Sequence, residues 1–365
     1  QCRLVADGQA MSVLDLVRED LREFAGYASA RRANVTGNIW LNANESPWTN
    51  DADKGMNLNR YPEPQPQQLV KRLAALYGVG SASLMITRGS DEGIDLLTRA
   101  FCKAGQDGVL IAPPTFGMYA VCARVQNAMV FEVPLIDGET QWQFDLPAVL
   151  EKIRQEPIKL VFVCTPANPT GQSVSLDEIR ALAKASTDKA IIVVDEAYAE
   201  FNETPSATSL LGEFENIVVL RTLSKAYAMA AARVGIVMAQ ENIIRVLRNI
   251  CAPYPVPTPC VVQALAGLDD GNIELAKRRA AISVSERSRV YKKLQDMKSV
   301  KNVYASQGNY LLARFDDAEK AFQSCLSAGV VIRDMRANPV LQDALRISIG
   351  TPEENDALLT ALGSL

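Results

Sequence analysis

From about residue 84 the sequence alternates between short apolar runs and segments with helical periodicity. The runs are rich in Val, Ile and Leu, and each ends near Gly, Pro, Ser or Asp. They are GVLIAPP (108–114), KLVFVCTPANPTG (159–171), KAIIVVDEAY (189–198), NIVVLRTLSK (216–225) and ARVGIVMA (232–239). Near-continuous β-branched runs separated by helices are typical of parallel strands buried on both faces. The pattern predicts an α/β fold with a mostly parallel sheet covered by helices.

The segments before this region favour helices. Residues 12–24 place Leu14, Val17, Leu21 and Phe24 on one helical stripe after Ser12, a good N-cap residue. We therefore predict a short amphipathic helix there. QQLVKRLAALYG (67–78) predicts a second helix that ends at Gly78.

The C-terminal third predicts a smaller α+β domain. The proline-dense segment APYPVPTP (252–259) is typical of a chain leaving one domain for the next. A long charged helix is expected at about 272–298, followed by two strands in 308–315 and 344–350 with a helix near 317–328. We predict a vector-derived or disordered extension at 1–10, an N-terminal arm at 11–40 packing with the small domain, a large cofactor-binding domain at 41–251 and a small domain at 252–365.

Charge and composition exclude several classes of function. The chain has 365 residues, a net charge of −4 and no long run of Lys or Arg, so nucleic acid and anionic membranes are not expected partners. No apolar stretch approaches the roughly 20 residues that span a bilayer. Seven scattered cysteines without a CxxC pair indicate reduced thiols, and hence a cytoplasmic protein.

The chain contains no histidine. Catalysis by Ser-His-Asp or Cys-His is therefore excluded, as is a zinc site built on histidine, and we predict no metal. Proton transfer must fall to Lys, Tyr, Asp, Glu, Cys or a cofactor.

Three chemically different side chains follow neighbouring apolar runs. Asn168 comes after VFVCTP, Asp195 ends IIVV, and Ser224 and Lys225 follow VVLRTL. Because ligands of open α/β sheets bind beyond the carboxyl ends of the strands, we expect these groups to share one pocket. A lysine there, flanked by Arg233, is a candidate nucleophilic amine with a lowered pKa. A surface lysine after a strand is the alternative.

Asp195 and Tyr198 form a candidate pair of ring contacts. A carboxylate closing an apolar strand is costly unless it is paired, and it can hold a cationic ring nitrogen. Capping of the next turn is equally consistent with Asp195. Tyr198 is placed to reach a ring oxygen, although a core tyrosine fits the pattern as well.

A phosphate site is predicted in TRGSDEGIDLL (87–97), where the amides of Ser90 and Asp91 stand at a helix start. The same residues also suit an ordinary helix cap. Ser224 and Arg233 can add a hydroxyl and a guanidinium to the same phosphate. Phe116, in PPTFGMY, offers a ring to stack on a flat cofactor, or simply packs.

Together these residues resemble the class II aminotransferases of fold type I, and within them the histidinol-phosphate aminotransferase family. The general family pattern lies in CTPANPTG (164–171), VVDEAY (193–198) and TLSKAYAMAAARVG (222–235). Subfamily likeness rests on a further set of motifs from both ends of the chain. They are YASARR (27–32), WLNANESP (40–47), LNRYPEPQP (58–66), TRGSDEGIDLLTRAFC (87–102), APPTFGMY (112–119), CAPYPVPTP (251–259), SQGNYLLARF (306–315), VVIRD (330–334) and LRISIG (345–350).

The resemblance implies pyridoxal 5′-phosphate as the cofactor. It implies that Lys225 holds the cofactor as a Schiff base and then moves the substrate α-proton. Asp195 is expected to pair with the pyridine nitrogen, and Asn168 and Tyr198 with the 3-oxygen. The residues expected at the phosphate are Ser90, Asp91, Ser224 and Arg233, and Phe116 is expected to stack on the ring.

The resemblance also implies the substrates: L-histidinol phosphate, with 2-oxoglutarate and glutamate as the other pair. Arg346 is expected to clamp the glutamate α-carboxylate. Tyr27, Asn309 and Arg333 are expected on the substrate side, and Tyr61 in the neighbouring subunit's site of a homodimer. From the sequence alone, Arg346 also fits the solvated face of a strand and Arg333 a simple pair with Asp334.

The sequence departs from the family pattern at three places. Ala230-Ala231-Ala232 replaces a run that usually carries Gly before the phosphate-binding Arg. A methyl group there can shift the turn. Ser90 replaces Ala, and Ala167 replaces the first Asn of Asn-Asn-Pro; neither change removes a chemical group from the site.

Two alternatives stay open. Threonine-phosphate decarboxylases and broad aromatic aminotransferases share nearly all these motifs. The second alternative is a cofactor-binding regulator without catalysis, against which the intact Lys225, Asp195 and Arg346 argue.

Overall fold

The computed structural model describes residues 12–27 and 37–365. The predicted extension at 1–10 and all of the motif at 27–32 except Tyr27 lie outside this part of the chain, as does part of the predicted arm. The described residues form two sheets, one of seven strands and one of four.

The large sheet contains the apolar runs of the sequence. Its strands are β1 (Leu84–Arg88), β2 (Gly108–Ile111), β3 (Met129–Glu132), β4 (Ile158–Cys164), β5 (Ile191–Asp195), β6 (Ile217–Thr222) and β7 (Val234–Met238). They lie in the order β1-β7-β6-β5-β4-β2-β3. Neighbours from β3 to β6 are parallel, whereas β7 runs antiparallel to both β1 and β6. The predicted fold class, a mostly parallel sheet covered by helices, is confirmed.

Helices pack on both faces of this sheet because side chains alternate along each strand. Ile192 and Val194 of β5 face one core, whereas Ile191 and Val193 face the other. The helices of the first core are α2 (Gln67–Tyr77), α5 (Leu146–Gln155), α6 (Leu176–Ala185) and α8 (Thr258–Gly267); those of the second are α3 (Ser90–Phe101), α4 (Met118–Val125) and α7 (Glu241–Ile250). Double coverage explains why the strands read as continuous apolar runs.

The small sheet is antiparallel, in the order β10-β11-β9-β8. Its strands are β8 (Val300–Val303), β9 (Tyr310–Phe315), β10 (Arg333–Asp334) and β11 (Ala344–Ser348). Three helices pack on one face: the C-terminal part of α9 (Asp270–Gln295), α10 (Ala318–Ser327) and α11 (Pro352–Gly363). Ala264 and Leu268, beyond the predicted boundary at 252, pack in the core of the large sheet. The boundary itself stays a prediction.

The predicted helix over residues 12–24 is wrong as a continuous element. Ser12 does cap a turn, but the turn is a 3-10 helix over Val13–Leu16, and a separate short helix α1 (Glu19–Arg22) follows. The break falls at Val17 and Arg18, where the Arg18 N–H donates to the carbonyl of Ala100 instead of to its own helix. Docking buries Val13, Leu16 and Val17, and leaves Phe24 47% exposed. A helix this short depends on tertiary contacts, so the contact with α3 sets its shape.

Other boundaries agree with the sequence. Helix α2 ends at Tyr77, and Gly78 follows with φ of 67°. Helix α9 covers most of the predicted charged segment but ends at Gln295, and β9 and β11 fall within the two predicted strands. Among the described residues, no helix is both long and apolar enough to cross a membrane.

Candidate active site

Three neighbouring parallel strands deliver the predicted catalytic groups to one edge of the large sheet. Asp195 is the last residue of β5. Asn168 follows β4, and Ser224 and Lys225 follow β6. Because β4, β5 and β6 are adjacent and parallel, these groups meet at the carboxyl ends of the strands. They line one cavity of about 180 Å³.

The cavity brings together every residue that the sequence predicted to contact the cofactor. These are Ser90, Asp91, Phe116, Asn168, Asp195, Tyr198, Ser224, Lys225 and Arg233. Four of the predicted substrate-side residues do not line this cavity: Tyr27, Tyr61, Asn309 and Arg333. Arg346 reaches the cavity wall through Asn168, to which its Nη1 donates.

Asp195 is buried, with 3% of its surface exposed. Its Oδ2 accepts a hydrogen bond from the Tyr119 hydroxyl at 2.7 Å, and its Oδ1 accepts one from the Ala197 N–H at 3.1 Å. Burial raises the pKa of Asp195 to about 6, against the lowering effect of these two hydrogen bonds. In the described part of the chain no cationic side chain forms an ion pair with Asp195. The carboxylate is therefore available to a cationic group that enters the cavity.

Lys225 lines the same cavity. Its Nζ lies 5.4 Å from the centre of the Tyr198 ring. Partial burial lowers the pKa of the Lys225 ammonium, and the positive charge of Arg346 lowers it further. A neutral amine, which is the nucleophilic form, is thus easier to reach than for a lysine in water.

The start of α3 provides the expected anion site. Gly89, with φ of 77°, turns the chain so that Ser90 begins the helix, and Ser90 and Asp91, whose amides have no acceptor within the helix, line the cavity. A Cβ on Gly235 of the neighbouring strand would overlap the backbone of Gly89 and Ser90, so the close approach requires glycine. Arg233 donates to Asp91 Oδ2 at 2.9 Å.

The three alanines before Arg233 do not prevent the contact between Arg233 and Asp91. Ala230–Ala232 forms a 3-10 turn, and Arg233 takes the left-handed conformation with φ of 52°. This conformation turns the Arg233 side chain back toward Asp91 and the start of α3. The methyl groups therefore do not remove the guanidinium from the cavity.

Asn168, Tyr198 and Arg346 form one polar chain. Asn168 Nδ2 donates to the Tyr198 hydroxyl at 3.3 Å, and Asn168 Oδ1 accepts from Arg346. Arg346 therefore faces the cavity side of β11, and the alternative of a simply solvated strand arginine does not describe it. Its Nε is buried and has no partner among the described residues.

Arg333 lies directly opposite Arg346 in the antiparallel pairing of β10 with β11. Like charges in that position repel unless an anion lies between them. Asp334 is bound by Arg336 at 2.8 Å, so the expected alternative, a pair of Arg333 with Asp334, is not formed. In the described ranges no carboxylate lies within ion-pair distance of Arg333. The two guanidinium groups are suited to one anionic ligand.

Sequence reasoning missed three residues of the site. Tyr119 bonds Asp195, and Cys164 lines the cavity. Tyr310 packs edge-on against Tyr198, with ring centres 5.0 Å apart, and under the Arg346 guanidinium. Helical spacing gave no signal for Tyr119, because Phe116 lies before α4 begins at Met118.

A wider cleft of about 1100 Å³ lies between the segment after β5 and α9. It contains none of the predicted site residues. Its most buried charge, Arg221, is paired with Glu196 and Glu200 at 2.8 and 2.9 Å. Because these charges are engaged with one another, this cleft is a weaker candidate for chemistry.

Comparison with known proteins agrees with this geometry. The family model of aminotransferase class I and II matches residues 30–362. A histidinol-phosphate aminotransferase of Xanthomonas euvesicatoria pv. vesicatoria is 54% identical over 353 residues, which is 97% of this chain and 97% of the relative. One of Stenotrophomonas maltophilia is 55% identical over 352 residues, 96% of this chain and 97% of the relative.

A solved structure with similar shape is histidinol-phosphate aminotransferase from Sinorhizobium meliloti in complex with pyridoxal-5′-phosphate. Its TM-score is 0.75 with 24% identity, over 84% of this chain and 82% of that one. At this identity the likeness shows the fold.

The buried carboxylate generates a stability prediction for the cofactor-free protein. Its pKa, about 6, is above the ordinary 3.8, so the fold disfavours the ionised form and stability is lost as the pH rises from about 4 to 6. Two pKa units correspond to about 3 kcal/mol, which sets the upper limit of the effect. We expect Asp195→Asn to raise the thermal midpoint at pH 8 and to lose this advantage near pH 4.

The control is Asp177→Asn, because the Asp177 side chain is 93% exposed. It should change the midpoint little and without this pH dependence. An Asp195→Asn protein that is less stable than wild type at pH 8, or a difference that does not vary with pH, would contradict the account of Asp195.

Proposed function

The chain belongs to the aminotransferase class I and II family, and from that premise we propose that it transfers an amino group between L-histidinol phosphate and 2-oxoglutarate. The products are imidazole acetol phosphate and glutamate, and the cofactor is pyridoxal 5′-phosphate. The observation that carries the proposal is that Asn168, Asp195 and Lys225 share one cavity, in a chain 54% identical to a histidinol-phosphate aminotransferase over nearly its full length.

The residues of the cavity fit this cofactor. A buried carboxylate without a cationic partner in the described part, Asp195, suits a protonated ring nitrogen. The amides at the start of α3 with Arg233 and Ser224 suit the phosphate. Phe116 lines the wall where the flat ring would lie.

When bound, pyridoxal phosphate supplies an electron sink for the negative charge that develops when the substrate α-proton leaves. Lys225 would hold the cofactor through its amine, and the free amine would carry the proton from the substrate α-carbon. The lowered pKa of the Lys225 amine suits both tasks, since each needs the neutral form at some stage. Asp195 would keep the ring nitrogen protonated, and Asn168 and Tyr198 would hold the 3-oxygen.

Arg346 and Arg333 are proposed to bind the anionic parts of both substrates. Arg346, with a buried Nε that has no described partner, would clamp the α-carboxylate of glutamate in a forked geometry. Arg333 beside it would accept the second negative group, which is a carboxylate in one substrate and a phosphate in the other. Asn309 and Tyr27 are proposed to lie on this side of the bound substrate.

We propose that the protein is a cytoplasmic homodimer and that Tyr61 serves the neighbouring subunit. Tyr61 is 51% exposed, stacks on Tyr254 at 4.6 Å and lies outside the cavity of its own chain. Ile39, Leu41 and Trp48 of the same segment are each about four-fifths exposed or more, at 82%, 88% and 79%. Exposed apolar side chains of this kind mark a surface that a second protein covers.

The first test follows the visible absorption band of the lysine-bound cofactor in the wild-type protein. Histidinol phosphate alone should remove the band, and 2-oxoglutarate should restore it with formation of glutamate. Lys225→Ala should show no such band and should lower amino transfer by roughly 10²–10⁴-fold or more, because both attachment and proton transfer are lost. Lys71→Ala, at an exposed lysine of α2, is the matched control and should behave as wild type.

The same experiment separates the alternatives. Release of carbon dioxide would indicate a decarboxylase, and turnover of phenylalanine without histidinol phosphate a broad aromatic aminotransferase. A band that forms and does not respond to any amino substrate would indicate a protein that only binds the cofactor. Unchanged turnover in Lys225→Ala would contradict the proposed chemistry.

Heterodimers test the placement of Tyr61. Co-expressed Lys225→Ala and Tyr61→Ala chains form a mixed dimer in which one site has Lys225 from one chain and Tyr61 from the other. If Tyr61 crosses the interface, the purified mixed dimer should recover about half the wild-type activity, because one of its two sites is intact. Each parent homodimer should be impaired. A mixed dimer no better than its parents would mean that Tyr61 acts within its own chain.

A further inference from the structure

Tyr119 of α4 is fully buried and does not line the cavity itself, but it contacts Asp195, which does. Its hydroxyl donates to Asp195 Oδ2 at 2.7 Å, within the usual range for a hydrogen bond to a carboxylate. The other oxygen of Asp195 is bonded by the Ala197 N–H. Both carboxylate oxygens of Asp195 are therefore held by hydrogen bonds from the protein.

The Tyr119 hydroxyl is held in place by its ring. Phe162 of β4 stacks on it, with ring centres 4.5 Å apart and planes at 7°. Phe116 meets it edge-on at 5.6 Å and 85°. Contacts on two sides leave the ring little freedom, so the hydroxyl is preorganised toward Asp195.

The other titratable groups near Asp195 contribute little to stabilising its ionised form. Titratable groups face it from α3, β4, the segments after β5 and β6, and β9. They are Asp91, Cys164, Glu196, Tyr198, Lys225 and Tyr310. The negative charges of Asp91 and Glu196 raise the pKa of Asp195, and burial raises the pKa of the Cys164 thiol to about 12, which keeps it uncharged.

We propose that Tyr119 is a positioning residue that aims Asp195 at the cofactor's ring nitrogen and keeps it an acceptor for that N–H. The inference rests on the proposed function. Tyr119 touches neither the substrate nor the ring nitrogen, and it acts through Asp195. The same ring also supports Phe116, so one side chain fixes both the partner of the ring nitrogen and the surface on which the ring lies.

Removing only the Tyr119 hydroxyl should therefore weaken the binding of a protonated cofactor ring by Asp195. In Tyr119→Phe the pKa of Asp195 rises, because one of the two hydrogen bonds that favour the ionised form is lost. Because Oδ2 of Asp195 has lost the hydroxyl that orients it, the carboxylate is aimed less well at the ring nitrogen, and the bound ring loses its proton at a lower pH than in the wild type. We expect the dissociation constant of pyridoxal phosphate to rise by about tenfold or more.

The experiment measures cofactor affinity by equilibrium dialysis at several pH values and ring protonation by the ¹⁵N shift of labelled pyridoxal phosphate. The control is Tyr304→Phe, because Tyr304 is also buried and its hydroxyl also donates to an aspartate, Asp137, at 2.7 Å, remote from the cavity. Tyr119→Phe should change both measurements, and Tyr304→Phe neither.

A double-mutant cycle provides the second arm. If Tyr119 acts through Asp195, removing the hydroxyl from an Asp195→Asn protein should change the cofactor's dissociation constant by much less than in the wild type. Wild-type affinity and ¹⁵N shift in Tyr119→Phe would overturn the inference and leave the proposed function in place. A wild-type protein that does not bind pyridoxal phosphate would overturn both.

Discussion

The structure depends on one constraint: a carboxylate that ends a strand buried on both faces. The fold raises the pKa of Asp195 to about 6 and does not provide a cationic side chain within the described part to pair with it. Such a group is costly in a protein without a ligand, and stored cost of this kind is typical of functional sites. In the proposed function, pairing with a protonated ring nitrogen would offset the cost of burying this carboxylate.

The order of the strands determines which groups lie on either side of this carboxylate. Because β5 lies between β4 and β6, Asn168 arrives on one side of Asp195 and Lys225 on the other. The small sheet adds Arg346 from β11 through its bond to Asn168. The positive charge of Arg346 also lowers the pKa of Lys225. The residue proposed to bind the substrate carboxylate therefore also favours the neutral, nucleophilic form of the Lys225 amine.

Much of the fold was predictable from the sequence, because double burial produces an unmistakable apolar pattern in β4, β5 and β6. The meeting of Asn168, Asp195 and Lys225 in one cavity was predictable because they end or follow neighbouring parallel strands. The contacts of Tyr119 and Tyr310 were not predictable, because they join residues far apart in the chain: Tyr119 with Asp195, 76 positions away, and Tyr310 with Tyr198, 112 positions away. The single helix predicted over residues 12–24 was wrong for a similar reason: contacts with α3 decide its shape.

The central claim is that Lys225, and no other lysine, holds the cofactor. The direct measurement is to incubate the wild-type protein with pyridoxal phosphate, reduce it with borohydride, digest it with trypsin and map the modified peptide by mass spectrometry. The account predicts one modified peptide, residues 222–233, uncleaved at Lys225 because the reduced adduct blocks trypsin. Label spread over exposed lysines, or confined to a different one, would contradict it.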